Sequence, residues 1–558
     1  MLGLRSSQRQ LLYQPLRYRS QCSLRKPFMN PSRSFATNNA ATRRGPAKFV
    51  KSALIVAGTS VAVYLIDEYY YSSLLQRSAR AVYVLLWVAY QYGVNVKNYD
   101  NIEDLHEEAS ERLLQMLSTN KGLYIKLGQA IANNGTVFPI AFQKRFVNLY
   151  DAAPVDPWVQ IDKILKKQLG ENYETTVFEN FDHTPIASAS IAQVHKARLR
   201  KEQQDVAVKV QHPYIAKQIN VDLAVYEGMS WVYSKLFDLP LTFFTSYVSD
   251  QLIKEADFRH ESANAAKLAG FIEKDKAMQH LNIYIPKNFD DYTGDRVLIT
   301  EWIDGVSLAD KQKLIDAKLD ITTMMTQYVN AFGRQVFNYG FCHSDPHPGN
   351  LLARMHNGKQ QLVILDHGLY VALPEKFRKE YCLIWESLFQ YDRKTIQNIA
   401  ESWGIGNADI LTTLVQMKPP SQDFLTQNMS SYDLIKSFLG DETKFPLQML
   451  FLSRSMRMMQ NLNMTMGSPV NRINMFTNCA LQTLIKERDF SISNLGPWLS
   501  LVKVKISLFF SEVVFWFFRI RQIITGDRYG GKGEGIEDYI DKYMRDTAKQ
   551  MGIDIAEV

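Results

Sequence analysis

Four polar side chains in the sequence are of the types that handle phosphate groups and a divalent metal ion. Asp345 and Asn350 lie five residues apart in the octet HSDPHPGN. Asp366 follows an apolar, strand-like run and precedes Gly368, which allows the chain to turn there. Lys209 ends a second strand-like run, VAVK. A lysine and Mg²⁺ can neutralise charge on phosphates while a carboxylate positions the acceptor, so this set predicts phosphoryl chemistry.

The order of these elements along the chain is stronger evidence for a kinase-like site than any one of them. A lone VAVK is commonly just a buried strand, and a lone LDHG can occur at any junction between a strand and a turn. Lys209 lies in a β-rich part, the octet lies between helices, and Asp366 follows the next strand. This is the order of the kinase patterns V-A-I-K, H-R-D-x-x-x-x-N and D-F-G. No GxGxxG precedes Lys209, Ser344 replaces the Arg before Asp345, and no APE follows Asp366. Phosphorylation of peptides is therefore not expected.

The positive charge of the chain is confined to its N-terminus. Residues 1–51 contain eleven Lys and Arg and no Asp or Glu, so with a net charge of +7 the remainder carries −4. A basic, acid-free, Ser-containing leader is typical of a mitochondrial transit peptide, predicted over residues 1–35 and followed by a basic linker, 36–48. A basic arm that binds polyanions is the alternative. Since the remainder is acidic, no nucleic-acid partner is expected.

An uncharged run, Ser52–Ile66, follows the leader and predicts a transmembrane helix over 49–66, at the short end of spanning lengths. Two lysines precede it and two acidic residues follow it, which predicts a single-pass protein of the mitochondrial inner membrane with its catalytic domain in the intermembrane space. A buried globular helix is the alternative. A second uncharged stretch, Ala81–Val96, is less apolar and predicts an interfacial or core helix. If this second stretch crosses the membrane instead, the catalytic domain would lie in the matrix.

The periodicity of the remaining chain predicts an α+β fold in which a β-rich lobe precedes a helical one. Strands are predicted within 177–210 and at 297–303. One helical pattern covers 247–273, and beyond 321 a single strand, Leu362–Leu365, interrupts the helices. The predicted divisions are a juxtamembrane helical region at 67–118, an extension and N-lobe at 119–303, a C-lobe at 304–490 and a helical tail at 491–558. The four cysteines form no CxxC pair, which indicates neither a disulfide framework nor a zinc site.

These motifs together resemble the UbiB or aarF-domain-containing family of atypical kinases over about residues 103–480. That family carries K-x-G-Q, an Ala-rich loop, V-A-V-K, E-x-D, H-x-D-P-H-P-G-N and D-x-G. The corresponding segments here are Lys126-Leu127-Gly128-Gln129, Ala187 to His195, Val206 to Lys209, Glu255-Ala256-Asp257, His343 to Asn350, and Asp366-His367-Gly368.

The resemblance implies a bilobal protein-kinase-like fold with a helical N-terminal extension. In such a site ATP or ADP and Mg²⁺ are bound, Asn350 and Asp366 hold the metal, and Glu261 pairs with Lys209. Lys126 and Gln129 reach the site and occlude it by pairing with Glu255 and Asp257. The residues implied in catalysis are Asp345, Lys209 and Glu261, and those implied in nucleotide binding are Ala187, Ala189, Ser190, Lys209, Glu301 and Ile303.

Two departures from the family pattern are Ser188, where Ala is common, and His367, where Phe is usual. We expect His367 to be a core histidine with its hydrogen bonds satisfied. A His at this position resembles the fungal mitochondrial branch that acts in coenzyme Q distribution, which implies membrane lipids and coenzyme Q or a precursor as partners. His343 and His347 lie four apart, but two prolines keep them off a regular helix, so a role in the loop is preferred to metal binding.

Three functions follow as hypotheses. The first is a kinase-like ATPase of the inner membrane that acts in coenzyme Q distribution and lipid homeostasis. The second is a catalytically weak, nucleotide-gated lipid scaffold. The third is a small-molecule phosphotransferase of the choline-kinase type, against which the K-x-G-Q motif argues. An apolar segment near the C-terminus, Ile506–Phe518, is predicted to lie in a membrane interface, hold a lipid or dock onto the lobes.

Overall fold

The computed structural model describes residues 58–68, 72–133, 139–149, 155–238, 241–416, 444–488, 490, 495–525 and 535–550. Residues 63–558 form one compact unit, and residues 1–62 form another, of which only the helical residues 58–62 are described. The predicted transit peptide, the linker and residues 49–57 of the predicted membrane segment lie outside the described residues. Among the helices within these ranges, none is long and apolar enough to cross a membrane.

Helices α1 to α4 pack around a core of their own ahead of the first sheet. Their bounds are α1 Leu74–Tyr90, α2 Ile102–Asn120, α3 Leu123–Asn133 and α4 Ile140–Phe146. Ala81, Val84 and Val88 of α1 are buried in this core. The stretch 81–96 therefore begins as a core helix, in agreement with one of the two interpretations of its sequence.

The N-lobe is an antiparallel sheet that aims Lys209 into the cleft. Its strands are β1 Phe178–Phe181, β2 Ala187–Ser188, β3 Ala192–Leu199, β4 Asp205–Gln211 and, later in the chain, β6 Val297–Glu301, in the order β1-β3-β4-β6 with β2 on β3. Side chains alternate between the faces of a strand. Val206, Val208 and Val210 are buried in the core beneath α5, Trp158–Leu169, so Lys209 lies on the opposite face.

The helical pattern predicted over 247–273 is two helices. After α6 Tyr173–Thr176 and α7 Ile215–Phe237, α8 spans Leu241–Glu255 and α9 spans Phe258–Lys274. Asp257 caps α9, since its carboxylate accepts a hydrogen bond from the backbone N of Arg259 at 3.0 Å. Glu255 therefore ends one helix while Glu261 lies in the first turn of the next.

The C-lobe contains more strand than the sequence predicted. Strands β9, Leu351–His356, and β10, Lys359–Ile364, form a hairpin whose turn residues Asn357 and Gly358 both have positive φ. Asn-Gly between alternating residues is a strong hairpin signal, so the sequence did contain the information. The other strands are β5 Ile283–Tyr284 and β7 Val306–Ser307 beside this hairpin, and β8 Phe341–His343 paired with β11 Tyr370–Ala372.

The helices of the C-lobe enclose one large apolar core. They are α10 Lys276–His280, α11 Lys311–Asp316, α12 Ile321–Gly333, α13 Glu375–Gln390, α14 Arg393–Ser402, α15 Ala408–Gln416, α16 Gln448–Thr465 and α17 Arg472–Glu487. Two further helices follow, α18 Leu495–Ile524 and α19 Ile536–Gln550. The predicted apolar segment Ile506–Phe518 is thus the middle of α18.

Gly128, the glycine of K-x-G-Q, is packed so closely that any larger residue at this position is predicted to destabilise the protein. A Cβ there would lie 2.2 Å from Cδ1 of Leu149 and 2.9 Å from Cδ1 of Leu117, both buried. Overpacking of this kind costs about 1–3 kcal/mol, so Gly128→Ala should lower the melting temperature. The matched control is Gly228→Ala in α7, where nothing lies within 4 Å and the change should be neutral or stabilise by up to about 1 kcal/mol. Equal shifts in the two variants would contradict the packing argument.

Candidate active site

The octet loop and the segment after β10 lie side by side. The backbone N of Leu365 donates to the carbonyl of Asn350 at 2.9 Å, and that of Ser344 donates to the carbonyl of Leu369 at 2.9 Å. The antiparallel pairing of β8 with β11 flanks these contacts. Asp366 is held next to Asn350 as a result.

Asn350 and Asp366 are placed as two donors for one metal ion. Nδ2 of Asn350 lies 3.4 Å from Oδ2 of Asp366, and the backbone N of Gly368 donates to Oδ1 at 2.9 Å. Burial opposes the charge of Asp366, but Lys209, the backbone hydrogen bond from Gly368 and Lys126 together outweigh it and hold the pKa of that carboxyl well below its usual range. Within the described residues no three His, Cys, Asp or Glu side chains form a metal cluster. One carboxylate and one amide fit Mg²⁺, which takes its remaining ligands from water and phosphate oxygens.

Lys209 is paired with Glu261, as the resemblance to the atypical kinase family implied. Its Nζ lies 2.8 Å from both carboxylate oxygens of Glu261 and 3.7 Å from Oδ1 of Asp366. Burial opposes the positive charge, but the two carboxylates more than compensate and raise the pKa of Lys209. The lysine therefore joins α9 to the metal site, which is the arrangement that supports phosphate binding in protein kinases.

Lys126 reaches the site from α3 and links the two lobes. Its Nζ lies 2.7 Å from Oε1 of Glu255 at the end of α8 and 3.2 Å from Oδ2 of Asp345 in the octet loop. Burial opposes its charge, but these carboxylates raise the pKa of Lys126. The K-x-G-Q helix thus occupies the mouth of the cleft beside Asp345.

Arg454 is a site residue that sequence reasoning missed. From α16 it places NH2 3.0 Å from Oδ1 of Asp345. Burial alone would raise the pKa of Asp345, but Arg454 and Lys126 together lower it to about 2. The sequence carried only a weak signal, because α16 contains both Arg454 and Arg457, and it is the fold that buries Arg454, where a charge needs a partner.

Two residues expected to occlude the site make other contacts. Nε2 of Gln129 donates to the carbonyl of Leu149 at 3.1 Å, within the N-terminal helices. Both oxygens of Asp257 receive hydrogen bonds from the guanidinium of Arg259, at 2.9 and 2.7 Å. The predicted pairing is therefore present for Lys126 with Glu255, while Asp257 acts as a helix cap because the helix breaks before it.

The residues expected to bind nucleotide share the N-lobe sheet with Lys209 or adjoin it. The loop after β2 is fixed by His212, whose Nε2 donates to the carbonyl of Ala189 at 2.9 Å and whose Nδ1 lies 2.7 Å from the carboxylate of Asp156. At the far edge, the carboxylate at the end of β6 accepts a hydrogen bond from the backbone N of Lys287 at 3.3 Å. The predicted residues are Ala187 in β2, Ala189 and Ser190 in the following loop, and Glu301 and Ile303 at the end of β6.

His367 is a core histidine with satisfied hydrogen bonds, as expected. Its Nε2 donates to the carbonyl of Ile364 at 3.1 Å, and its Nδ1 accepts from the hydroxyl of Tyr370 at 2.9 Å. Burial lowers its pKa to about 3, so the ring is neutral. His343 ends β8 and His347 lies in the loop that follows, and their Nδ1 atoms accept backbone hydrogen bonds from Asp345 at 3.2 Å and Gly349 at 3.1 Å.

Comparison with known proteins agrees with this geometry. Residues 148–400 match the ABC1 atypical kinase-like domain. The ABC1 family protein lscO of Purpureocillium lilacinum is 31% identical over 89% of this chain and 91% of its own length. The ABC1 family protein C10F6.14c of Schizosaccharomyces pombe is 36% identical over 79% and 85%. A solved complex of Rv3197 with erythromycin, from Mycobacterium tuberculosis, is 22% identical over 65% of this chain and 96% of that one, with a TM-score of 0.40, too low to support any argument.

A lysine paired with a helical glutamate, beside an Asp and an Asn whose side chains fit a metal ion, is the arrangement of a protein-kinase-like class of protein. Within that class the chain belongs to the ABC1, or AarF-domain, family of atypical kinase-like proteins. The resemblance read from the motifs is confirmed. Lys126 and Arg454, however, lie before and after the matched domain, so the two cations around Asp345 come from outside it.

Arg454→Met is predicted to destabilise the protein, because the partly buried carboxylate of Asp345 would keep one cation instead of two. Removing one partner of a buried ion pair costs about 3–5 kcal/mol. In the native protein Asp345 stabilises the fold above its unfolded pKa of about 4 and loses this effect only as the pH falls through about 2. The variant's carboxyl titrates higher, so its deficit should be largest at neutral pH and shrink in acid. Thermal unfolding across pH measures this difference.

The control for this prediction is the double variant Arg454→Met with Asp345→Asn. Neutralising the carboxylate removes the unpaired charge, so the double variant should recover most of the lost melting temperature at neutral pH. A double variant no more stable than Arg454→Met would show that the ion pair is not the cause.

Proposed function

We propose that this chain is an atypical kinase-like enzyme that binds ATP or ADP with Mg²⁺ and hydrolyses ATP. The observation that supports this most is the contact of Lys209 with Glu261 and Asp366, with Asn350 next to Asp366. When bound, Mg²⁺ would neutralise charge on the phosphates. Lys209 supplies a fixed positive charge beside it, and Glu261 holds that charge in place.

Protein phosphorylation is not part of this proposal. Lys126 and Arg454 engage both oxygens of Asp345, the carboxylate that would otherwise receive an acceptor hydroxyl. A peptide would have to displace the α3 helix to reach it. A small acceptor such as water meets a lower steric barrier, which favours hydrolysis.

We place the activity at the mitochondrial inner membrane, in coenzyme Q distribution and lipid homeostasis. The leader composition and the uncharged run after it support the location, with the catalytic domain in the intermembrane space. The link to coenzyme Q or a precursor rests on the family resemblance and on the His at position 367. The proposed partners are therefore inner-membrane lipids and a quinone.

Mg-nucleotide is predicted to raise the melting temperature of the full chain. Asp366→Asn should abolish this shift, because it removes the one carboxylate among the proposed metal ligands. Asp316→Asn is the matched control, since Asp316 is exposed in α11, away from the site, and should leave the shift unchanged. If Mg-nucleotide raised the melting temperature of Asp366→Asn as much as that of the native protein, the proposed metal site would be contradicted.

A second candidate is a nucleotide-gated lipid scaffold with little turnover. The observation in its favour is the low pKa of Asp345, about 2, which makes it a poor base at neutral pH. In this function nucleotide binding would change the protein's shape and hydrolysis would be incidental.

Cells can distinguish the two candidates through their quinone distribution between membranes. If the protein acts as an enzyme, as we expect, Asp345→Asn and Lys209→Met should disturb the distribution equally. A scaffold needs nucleotide binding alone, so Asp345→Asn would leave the distribution normal while Lys209→Met would not. The exchanges Asp316→Asn and Lys376→Met, at exposed positions of the C-lobe, are the matched controls.

A further inference from the structure

Helix α18 exposes a continuous apolar face along its 30 residues. Nine of its apolar side chains recur at alternating steps of four and three, a spacing that puts them on one side of a helix. Every one of them is at least half exposed to solvent. They are Leu495, Leu499, Val502, Ile506, Phe509, Val513, Trp516, Ile520 and Ile523.

The opposite side of α18 is fixed to the C-lobe. Leu508 and Val504 are buried against Leu481 of α17. Nδ2 of Asn474, also in α17, donates to the carbonyl of Leu508 at 3.0 Å and to the carboxylate of Glu512 at 2.7 Å. The orientation of the exposed face is therefore set by the fold.

The exposed face is broader than the seam of a coiled coil. A coiled coil places charged residues beside its central apolar positions. Here large apolar side chains, mostly aromatic, occupy several flanking positions and are close to half exposed or more: Trp498, Phe510, Val514, Phe517 and Ile524. This width and aromatic content fit a fluid apolar phase better than a second helix.

The exposed charges of α18 have one sign. Lys503, Lys505 and Arg521 are exposed, whereas Glu512 is partly buried and engaged by Asn474. Helices that lie in a membrane interface carry Lys and Arg beside a face of Trp, Phe and Leu. Cations near a membrane surface are attracted by acidic headgroups.

We propose that α18 is a membrane-docking helix that lies flat on a bilayer with acidic headgroups. Its apolar face enters the acyl region over a length of about 45 Å, given 1.5 Å per residue. Lys503, Lys505 and Arg521 contact the headgroups. This proposal rests on the membrane location proposed above and adds a second contact, which fixes the kinase-like unit directly on the lipid surface.

The test uses the full chain with an environment-sensitive dye on one introduced cysteine, in a Cys22→Ser background whose described cysteines are all buried. Phe509→Cys places the dye on the apolar face, and Lys394→Cys on α14 is the exposed control. Vesicles contain phosphatidylcholine with brominated acyl chains, with or without cardiolipin. A local readout is needed because the segment at 49–66 could hold the chain on vesicles by itself.

We expect the dye at position 509 to be quenched several-fold more than that at 394, and more strongly with cardiolipin. Lys503→Glu/Lys505→Glu/Arg521→Glu should remove the effect of cardiolipin. The matched change of three exposed lysines elsewhere, Lys276→Glu/Lys359→Glu/Lys376→Glu, should not.

Three results would overturn the proposal. Equal quenching at 509 and 394 would exclude bilayer contact. A dimeric mass by light scattering, with the dye at 509 shielded without lipid, would assign the face to a second copy. If the dye at 509 were shielded without lipid in a monomeric protein, the apolar face would instead be covered by another segment of the chain. The nucleotide-dependent melting shift, measured on the same samples, reports separately whether the proposed ATP site has failed.

Discussion

The partly buried carboxylate of Asp345 depends on two cations from distant parts of the chain. Lys126 comes from the N-terminal helices and Arg454 from α16, and each contacts a different oxygen of the carboxylate. A buried charge without a partner is strongly destabilising, so the C-lobe loop needs both contributions to keep its geometry. Because both cations lie outside the matched ABC1 domain, the flanking helices are part of the active site as well as of the fold.

The contacts of Lys126 and Arg454 with Asp345 also limit the chemistry of the site. Phosphoryl transfer depends mainly on positioning and electrostatic stabilisation, so a weakly basic Asp345 does not exclude turnover. It does mean that the acceptor must be small or must displace Lys126 from the carboxylate. Nucleotide binding would have no such restriction, because Lys209 and Asp366 contact Glu261, Asn350 and Gly368. In the proposed function, nucleotide binding and acceptor access would therefore depend on different residues.

Sequence alone predicted the residues whose chemistry is written in short motifs, such as Lys209 and Asp366, and their positions agree with that prediction. It did not predict Arg454, which lies 109 residues from its partner and belongs to no motif. The role of Asp257 was misjudged because the single helix predicted over 247–273 is broken after Glu255, and Asp257 caps the N-terminus of the second helix. The hairpin at Asn357 was missed although its turn signal was present, since periodicity alone favoured helix.

The balance of charge around Lys209 explains why a metal ion completes the site. Lys209 is one cation between two carboxylates, Glu261 and Asp366, so this half of the cluster is negative when both carboxyl groups are ionised. The neighbouring ring of His367 is neutral, because burial lowers its pKa to about 3. It therefore adds no positive charge. A divalent cation at Asp366 and Asn350 would make the net charge of this half of the cluster positive. Only then would this half attract the phosphates of a nucleotide.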